Sequence, residues 1–215
     1  MIEYKSVSLA NQVYEELENR ILNGTYAPGQ IITEKCLAEE LKVSRTPIRE
    51  ALGRLAQERL IKDSPAGNVV IGVSKEDAAD LFEVKRRVET LIVRKAVENI
   101  TEEELEELSL ILDKQEFYAM KEDARIVRDL DTDFHDLIYR ASRSIMLETV
   151  LTGVHHKLLK FRKLSLEHSD RIKESVGEHR DLLDAIKSGD ADLAEKMMLR
   201  HVNNACRNTV GGDEQ

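Results

Sequence analysis

The stretch LAEELKVSRTPIREALGRLAQERLI, residues 37–61, decides the fold of the first third of the chain. Two segments with helical apolar spacing flank the short turn Lys42-Val43-Ser44, so the stretch predicts a short helix, a tight turn and a second helix. Ser44 or Thr46 can cap the second helix, and Pro47 falls in its first turn, where a missing N–H has no cost. This order of elements is typical of a helix-turn-helix.

The second of these helices carries basic side chains away from its apolar face. Ile48, Leu52 and Leu55 form one stripe that must face a core. Arg45 and Arg49 therefore project from the opposite side near the N-terminus, one turn apart. A helix fits the major groove of DNA, and arginines placed there can contact guanine edges or phosphates. A solvated basic face on a small helical domain is the alternative interpretation.

The flanking segments favour the DNA-binding interpretation. Apolar spacing predicts a preceding helix over about residues 8–23, and Thr33 can cap the helix that follows it. After the stretch, LIKDSPAGNVVIGV at residues 60–73 alternates around a turn and predicts a β-hairpin. Three helices and a two-stranded wing make a winged helix-turn-helix, which we assign to residues 1–75.

The charge distribution sets this segment apart from the rest of the chain. The formal net charge is -9, but residues 1–75 contain ten basic and ten acidic side chains, so the whole deficit lies in residues 76–215. Between Lys42 and Lys62 six basic residues face only two acidic ones. The basic surface is therefore local, as expected for a DNA-reading element in an acidic protein.

Composition excludes several classes of protein. Hydrophobic residues make up 41% and charged residues 34%, with 3 Pro and 10 Gly, which is not the composition of a disordered or fibrous chain. No run of eighteen apolar residues and no signal-peptide pattern occurs, so the sequence predicts a cytoplasmic protein without a membrane partner.

Residues 76–215 show helix signals throughout and no strand signal. A capping box at TEEE, residues 101–104, starts the second helix of this region. Six helices result, and we predict an all-α antiparallel six-helix bundle. The breaks between the helices fall near residues 99–100, 122–123, 142–144, 169–170 and 188–190.

Four side chains of this bundle have spacings that suit a shared site. Asp131 and His135 are four residues apart, so a helix places both on one side. His179 and His201 lie on consecutive helices, about 14 and 16 Å from the intervening turn at 1.5 Å per residue. An antiparallel hairpin therefore brings these two histidines level with each other.

One carboxylate and three imidazoles can bind a divalent metal. This donor set suits Zn²⁺, Ni²⁺, Fe²⁺ or Mn²⁺ and leaves coordination positions for water or a ligand. The alternative is a helix-surface pair at Asp131 and His135, with His179 and His201 as hydrogen-bonded core residues. An EF-hand at DLDTDF, residues 129–134, is excluded because its central glycine and distal glutamate are missing.

The residues quoted above resemble the DNA-reading domain of the GntR family of bacterial transcription regulators, over most of residues 8–73. The resemblance implies base or phosphate contacts by the two arginines and backbone contacts by the neighbouring hydroxyls. Two features depart from the family pattern: Lys42 stands where glycine is usual, and the wing tip keeps Gly67 without its usual neighbouring arginine. The DNA-binding residues implied are Ser44, Arg45, Thr46, Arg49 and Gly67.

The second region resembles the FCD effector domain of the FadR branch of the same family, with the six-helix length of its VanR-like subgroup. The resemblance rests on RRVE, DTDFHDLIYRAS and EHRDLLDAIKSGDADLAEKMMLRH, residues 86–89, 131–142 and 178–201. It implies a metal, most readily zinc, and an adjacent cavity for a small carboxylic or sugar acid. Arg86 is a candidate for the cavity wall, whereas His155, His156 and His168 are expected at the surface or rim. The metal ligands implied are Asp131, His135, His179 and His201.

The expected function is a ligand-responsive bacterial transcription regulator, a repressor that binds a palindromic operator in double-stranded DNA as a homodimer. The rival hypothesis is a metal-dependent hydrolase or oxygenase with an accessory nucleic-acid-binding module, because Asp and three His can activate water. The sequence shows no evident general base, nucleophile motif or Gly-rich phosphate loop, which favours the regulator over the enzyme.

Overall fold

The computed structural model describes residues 8–158, 161 and 169–211. The chain divides into two compact units, residues 1–74 and 75–215. The first contains helices and a small sheet, and the described part of the second is helical. The predicted fold class, a winged helix-turn-helix followed by an all-α bundle, is confirmed.

Three helices build the first unit: α1 over Leu9–Leu22, α2 over Glu34–Leu41 and α3 over Arg45–Gln57. Ser8 and Thr33 cap α1 and α2, since their hydroxyl oxygens accept hydrogen bonds from the amides of Asn11 and Cys36. Ser44 is the N-cap residue of α3. The predicted order of helix, turn and helix is present.

The wing contains one strand more than the sequence predicts. The strands β1 over Ile31–Ile32, β2 over Ile61–Ser64 and β3 over Gly67–Val70 form an antiparallel sheet in the order β1-β3-β2. Only β2 and β3 form the predicted hairpin. Two residues are too few to show an alternating pattern, so the sequence does not reveal β1.

The core of the first unit fixes the orientation of α3. Leu17 of α1 is fully buried against this core, as are Ile48 and Leu55 of α3. With that face buried, α3 leaves Arg45 and Arg49 exposed. The backbone at Lys42, between α2 and α3, is left-handed with φ 55° and ψ 40°, as expected for a residue at a position where glycine is usual.

The described part of the second unit contains six helices and no strand. The capping box that opens the second of them is present, with Thr101 and Glu104 bonded to each other's backbone amides. None of the helices in the described ranges is long and apolar enough to cross a membrane. The helices are α4 over Lys75–Asn99, α5 over Glu102–Met120, α6 over Ala124–Ala141, α7 over Ile145–Lys157, α8 over Ser169–Lys187 and α9 over Ala191–Val210.

Helix α6 occupies the interior of the bundle, because it contacts α4, α5, α7 and α8. Phe134 and Ile138 of α6 are fully buried. Helices α8 and α9 pack against each other as a hairpin, whose turn contains Gly189 in a left-handed conformation. This arrangement brings side chains of α6, α8 and α9 into one interior region.

Candidate metal centre and nucleic-acid interface

The four predicted metal ligands converge inside the second unit. Helix α6 supplies Asp131 and His135 one turn apart, α8 supplies His179 and α9 supplies His201. All four side chains are buried, and one ligand atom from each lies within 4.8 Å of the others. His179 Nε2 is 3.6 Å from Asp131 Oδ1. One ion is therefore able to contact all four.

The imidazoles are oriented by a second set of buried side chains. His201 Nδ1 lies 2.7 Å from Glu178 Oε2, and His179 Nδ1 lies 2.8 Å from Gln115 Oε1. Because both partners are acceptor oxygens, the Nδ1 atoms carry the protons and Nε2 remains available. This outer support of the second ring nitrogen is characteristic of metal-binding histidines.

His135 has a carboxylate near its ring, but at a longer distance: its Nδ1 atom is 3.5 Å from Glu89 Oε1 and has no hydrogen-bond partner among the described residues. Glu89 is fully buried on α4, where Lys85 Nζ is 3.1 Å away and the Tyr139 hydroxyl donates a hydrogen bond to it. Burial raises the pKa of Glu89, but Lys85, His135 and Tyr139 together outweigh burial and hold the pKa below its usual range. Glu89 is therefore ionised beside the ring.

The environment of His179 fits a bound cation. Among the described residues nothing hydrogen-bonds to its buried Nε2 atom, and a buried polar atom without a partner costs about 1–3 kcal/mol. Burial, reinforced by the neighbouring His201, holds the pKa of His179 well below its usual value. Neutral imidazole is the form that binds metal, so a divalent ion would give this orphaned atom its partner.

A cavity opens beside the four ligands. Asp131, His135 and His201 line it together with two buried cationic residues, Lys85 and Arg171. Arg171 donates two hydrogen bonds to Glu178, at 2.8 and 3.1 Å. Its buried Nε atom has no hydrogen-bond partner in the described part of the chain. An anionic group in the cavity would lie near both of these cationic side chains, each of which is also paired with a carboxylate, Glu89 or Glu178.

Arg86, the predicted cavity-wall residue, lies outside this cavity. Its Nε atom donates to Asn203 Oδ1 at 2.7 Å, and its guanidinium pairs with Glu83 at the surface of α4. Consecutive residues differ by about 100° around a helix of 3.6 residues per turn. Lys85 therefore takes the inward position, and Arg86 points along a different side of α4.

The remaining histidines differ in position. His155 is buried, with its ring centroid 5.8 Å from that of His135. The expectation of a surface or rim position was wrong for this residue, because α7 packs against α4 and α6. His156 is exposed as expected, and His168 lies outside the described residues.

The predicted DNA-reading side chains share one exposed end of α3. Ser44, Arg45 and Thr46 are exposed, and the Arg49 side chain is 71% exposed. Arg49 donates two hydrogen bonds to Glu34 of α2, from Nε at 2.9 Å and from Nη2 at 3.0 Å. The guanidinium is thus held in one orientation at the surface.

Gly67 has a conformational reason to be glycine. It begins β3 with φ +133°, and a Cβ atom would lie 2.9 Å from the carbonyl oxygen of Ile32 and 2.9 Å from Cγ2 of Thr33. A side chain here would push β3 away from β1. The wing therefore needs this glycine for its sheet, whatever else the residue contacts.

Comparison with known families gives two matches that divide the chain in the same order. Residues 9–67 match bacterial regulatory proteins of the gntR family, and residues 80–204 match the FCD domain. The second match alone covers more than half of the chain. This chain belongs to the GntR family. Proteins of this family regulate transcription by binding DNA, so the regulator interpretation is confirmed over the enzyme.

Individual relatives of this GntR-family regulator agree along most of its length. The uncharacterized HTH-type transcriptional regulator YdhC of Bacillus subtilis is 31% identical over 198 residues, covering 91% of this chain and 88% of the relative. The gluconate operon transcriptional repressor of the same species is 32% identical over 189 residues, covering 85% and 77%. The solved structure of E. coli McbR/YncC has a TM-score of 0.78 and 27% identity, covering 92% and 95%.

Sequence reasoning missed the residues that surround the four candidate ligands. Gln115 is fully buried on α5, on the same side of the helix as Leu108, Leu112 and Ala119. Its helical spacing therefore identifies it as an interior polar group. Glu89 follows Lys85 by one turn on the inward face of α4. Glu178 directly precedes a ligand. An acid or amide on an otherwise apolar side of a helix is the sequence signal that could have predicted hydrogen-bond partners for the histidine rings.

Proposed function

We propose that this GntR-family regulator is a repressor whose second unit binds a divalent metal and a small organic acid, and that acid binding weakens its hold on the operator. The observation that carries the proposal is the buried group of Asp131, His135, His179 and His201 beside a cavity with two cationic walls.

The donor set supports zinc as the metal, with nickel, iron or manganese as alternatives. Three neutral imidazole nitrogens and one carboxylate oxygen suit these ions and leave a coordination position open. When bound, the metal supplies a Lewis-acid contact for the acid's carboxylate. Gln115 and Glu178 would hold the rings of His179 and His201 in orientation for that ion, and the carboxylate of Glu89 lies near His135.

The chain's own cations would complete recognition of the acid. Lys85 and Arg171 both line the cavity, and the buried Nε atom of Arg171 has no hydrogen-bond partner among the described residues. A carboxylic or sugar acid would pair its negative charge with these groups. We place the effector contact on Lys85 and Arg171, while Arg86 stands apart from the cavity.

On DNA, we propose that a homodimer contacts a palindromic operator whose half-sites are one helical turn apart, about 34 Å. Arg45 and Arg49 would contact bases or phosphates, Ser44 and Thr46 the backbone, and the wing near Gly67 the adjacent groove. The names of two relatives, the gluconate operon transcriptional repressor and HTH-type transcriptional repressor RspR, support repression.

Pairing of two copies through the second unit is supported by apolar side chains at the surface. Leu91 of α4 is 47% exposed, and Ile145 and Met146 of α7 are 76% and 75% exposed. Exposed apolar side chains of this size are typical of surfaces that another protein covers. A second copy would bury them and present two reader helices together.

Coupling between acid and operator follows from linkage. If the acid and the DNA favour different arrangements of the dimer, each weakens the binding of the other by the same factor, typically about 5- to 150-fold. The acid therefore needs only a modest preference between two arrangements to release the operator.

The metal is tested by elemental analysis of protein purified without an affinity tag or chelator. We expect about one transition metal per chain in the wild type and little in His179→Ala. His156→Ala, which removes an exposed histidine outside the group, is the matched control and should retain the metal. Metal-free wild-type protein, or full occupancy in His179→Ala, would contradict the proposed centre.

The effector is tested by thermal shift against a panel of carboxylic and sugar acids, with metal-loaded and chelated protein. An acid that raises the melting temperature only with metal present, and that weakens DNA binding, would support the proposal. Acids that stabilise chelated protein equally well would contradict metal-assisted recognition.

A further inference from the structure

The contact between Arg49 and Glu34 joins the two helices of the helix-turn-helix. Glu34 is the first residue of α2 and Arg49 lies in the first half of α3. The two hydrogen bonds, Nε to Oε1 at 2.9 Å and Nη2 to Oε2 at 3.0 Å, form a bidentate pair. Both side chains are at the surface, 71% and 33% exposed. A pair so exposed contributes little to stability, so its effect lies in geometry.

Glu34 occupies only part of the arginine's donor set. A guanidinium has five N–H groups in one plane, and the carboxylate takes one on Nε and one on Nη2. The edge formed by Nη1 and Nη2 has no hydrogen-bond partner among the described residues and is fixed in direction. A planar pair of donors of this kind matches the O6 and N7 acceptors of guanine.

Arg45 differs from Arg49 in this respect. It is exposed, and no hydrogen bond to a described residue fixes it, although its charge also acts on Glu34. A contact with DNA would therefore have to order the side chain at an entropic cost. Of the two arginines, Arg49 is the one that is already oriented.

We propose that Glu34 is a positioning residue for base recognition: it fixes Arg49 so that the free edge of the guanidinium reads one guanine of the operator. The inference rests on the proposed contact of Arg49 with DNA. Arg45 then contributes a mobile positive charge, suited to phosphates. The Arg49 hydrogen bonds lower the pKa of Glu34, so its carboxylate is ionised at neutral pH.

This arrangement has two opposite effects on DNA binding. The carboxylate repels phosphates and so lowers affinity for any duplex. Its hold on Arg49 favours the one sequence that matches the fixed donor edge. Removing the charge should therefore strengthen non-specific binding while weakening base preference, which a merely structural salt bridge would not do.

The experiment compares full-length wild type with Glu34→Gln and Arg49→Lys. Glu50→Gln is the matched control, because Glu50 is an exposed acid next to Arg49 with no hydrogen bond or ion pair among the described residues. The wild type first selects duplexes from a randomised pool. Affinity is then measured for the selected duplex, its single-base variants and a scrambled duplex at several salt concentrations.

We expect Arg49→Lys to lose guanine preference at one position, by a factor between about 5 and 150. Glu34→Gln should lose preference at the same position while binding the scrambled duplex more tightly. Glu50→Gln should strengthen binding to all duplexes alike. Glu34→Asp, which keeps the charge but shortens its reach, gives a second test: preference falls without the gain in non-specific affinity.

Retention of wild-type preference in both Glu34→Gln and Glu34→Asp would overturn the inference, provided that Arg49→Lys loses it. So would a Glu34→Gln profile identical to that of Glu50→Gln. Melting temperatures of all variants show whether the first unit stays folded. Failure of the wild type to select any sequence would instead overturn DNA reading by α3 itself.

Discussion

Lys42 occupies a left-handed conformation between α2 and α3. A side chain with a Cβ atom is strained there by about 1–2 kcal/mol, whereas glycine adds about 0.4–1 kcal/mol of conformational entropy to the unfolded chain. Lys42→Gly should therefore stabilise the first unit by roughly 0.5–1 kcal/mol, measured by denaturant unfolding. Lys42→Ala keeps the Cβ atom and should give no gain. Equal effects of the two substitutions would show that backbone strain is not the cause.

Residue spacing predicted the group of four candidate metal ligands but not the buried polar side chains around it. Asp131 and His135 share a helix side by simple periodicity, and the hairpin turn levels His179 with His201. On α4 the hydrophobic pattern misleads, because the helix buries Lys85 and exposes Leu91. The rotation of α4 is set by contacts with α6, α7 and α9, which no local pattern records. Arg86 was the cavity-wall candidate that the family resemblance implied, whereas the neighbouring Lys85 lines the cavity.

At the scale of elements, the connection between α6 and α7 combines strain with an ion pair. Arg143 has a left-handed backbone conformation, with φ 56°. Its guanidinium donates to both Glu104 carboxylate oxygens at 2.8 Å, and Glu104 belongs to the capping box of α5. The connection therefore combines a strained backbone at Arg143 with a link between α5 and the α6–α7 turn.

Arg143→Ala and Arg143→Gly separate these two contributions. Alanine loses the ion pair and keeps the strain, so the free energy of unfolding should fall by about 0.2–1 kcal/mol. Glycine also loses the pair but relieves about 1–2 kcal/mol of strain, so it should be the more stable variant in thermal unfolding at neutral pH. Alanine more stable than glycine would contradict the strain argument.

The contribution of the ion pair also depends on pH. Burial raises the pKa of Glu104, but Arg143 and the Thr101 amide outweigh burial and lower it. Because the pKa of Glu104 is lower in the folded state, the ion pair stabilises the protein fully above the pKa of an unfolded glutamate, about 4.3. This stabilisation is lost as pH falls through the folded-state pKa. The stability difference between wild type and Arg143→Ala should therefore be constant above about pH 5.5 and shrink below about pH 4. A difference that stayed constant down to pH 3 would show that Glu104 is not the partner that matters.

The elements themselves differ in how far sequence predicts them. Capping signals at Thr33 and Thr101 located helix starts, because these caps are local hydrogen bonds between near neighbours. Strand β1 was missed because its two residues are held by pairing with β3, a contact distant in sequence. Gly67 is required because β3 lies close to β1 there, and local turn rules do not indicate this requirement.

In the whole molecule, the DNA-reading helix and the candidate metal site lie in regions of different charge. The first unit carries the basic end of α3, and the acidic balance lies in residues 76–215. Acidic surface repels DNA phosphates, so non-specific attachment is confined to the reader. All four candidate metal ligands lie in the second unit. The effect of metal removal can therefore be measured separately for each unit.

Removing the metal should destabilise the second unit selectively. A ligand at a thousandfold excess over its dissociation constant stabilises the native state by about 4 kcal/mol, and that contribution disappears with chelation. We expect hydrogen exchange to accelerate in α6, α8 and α9 after chelation, and to stay unchanged in α1 and α3. His179→Ala should show the accelerated pattern with or without chelator, because it lacks the ligand. Equal acceleration in α1 and α3 would mean that the ion supports the whole chain and not the bundle that contains its ligands.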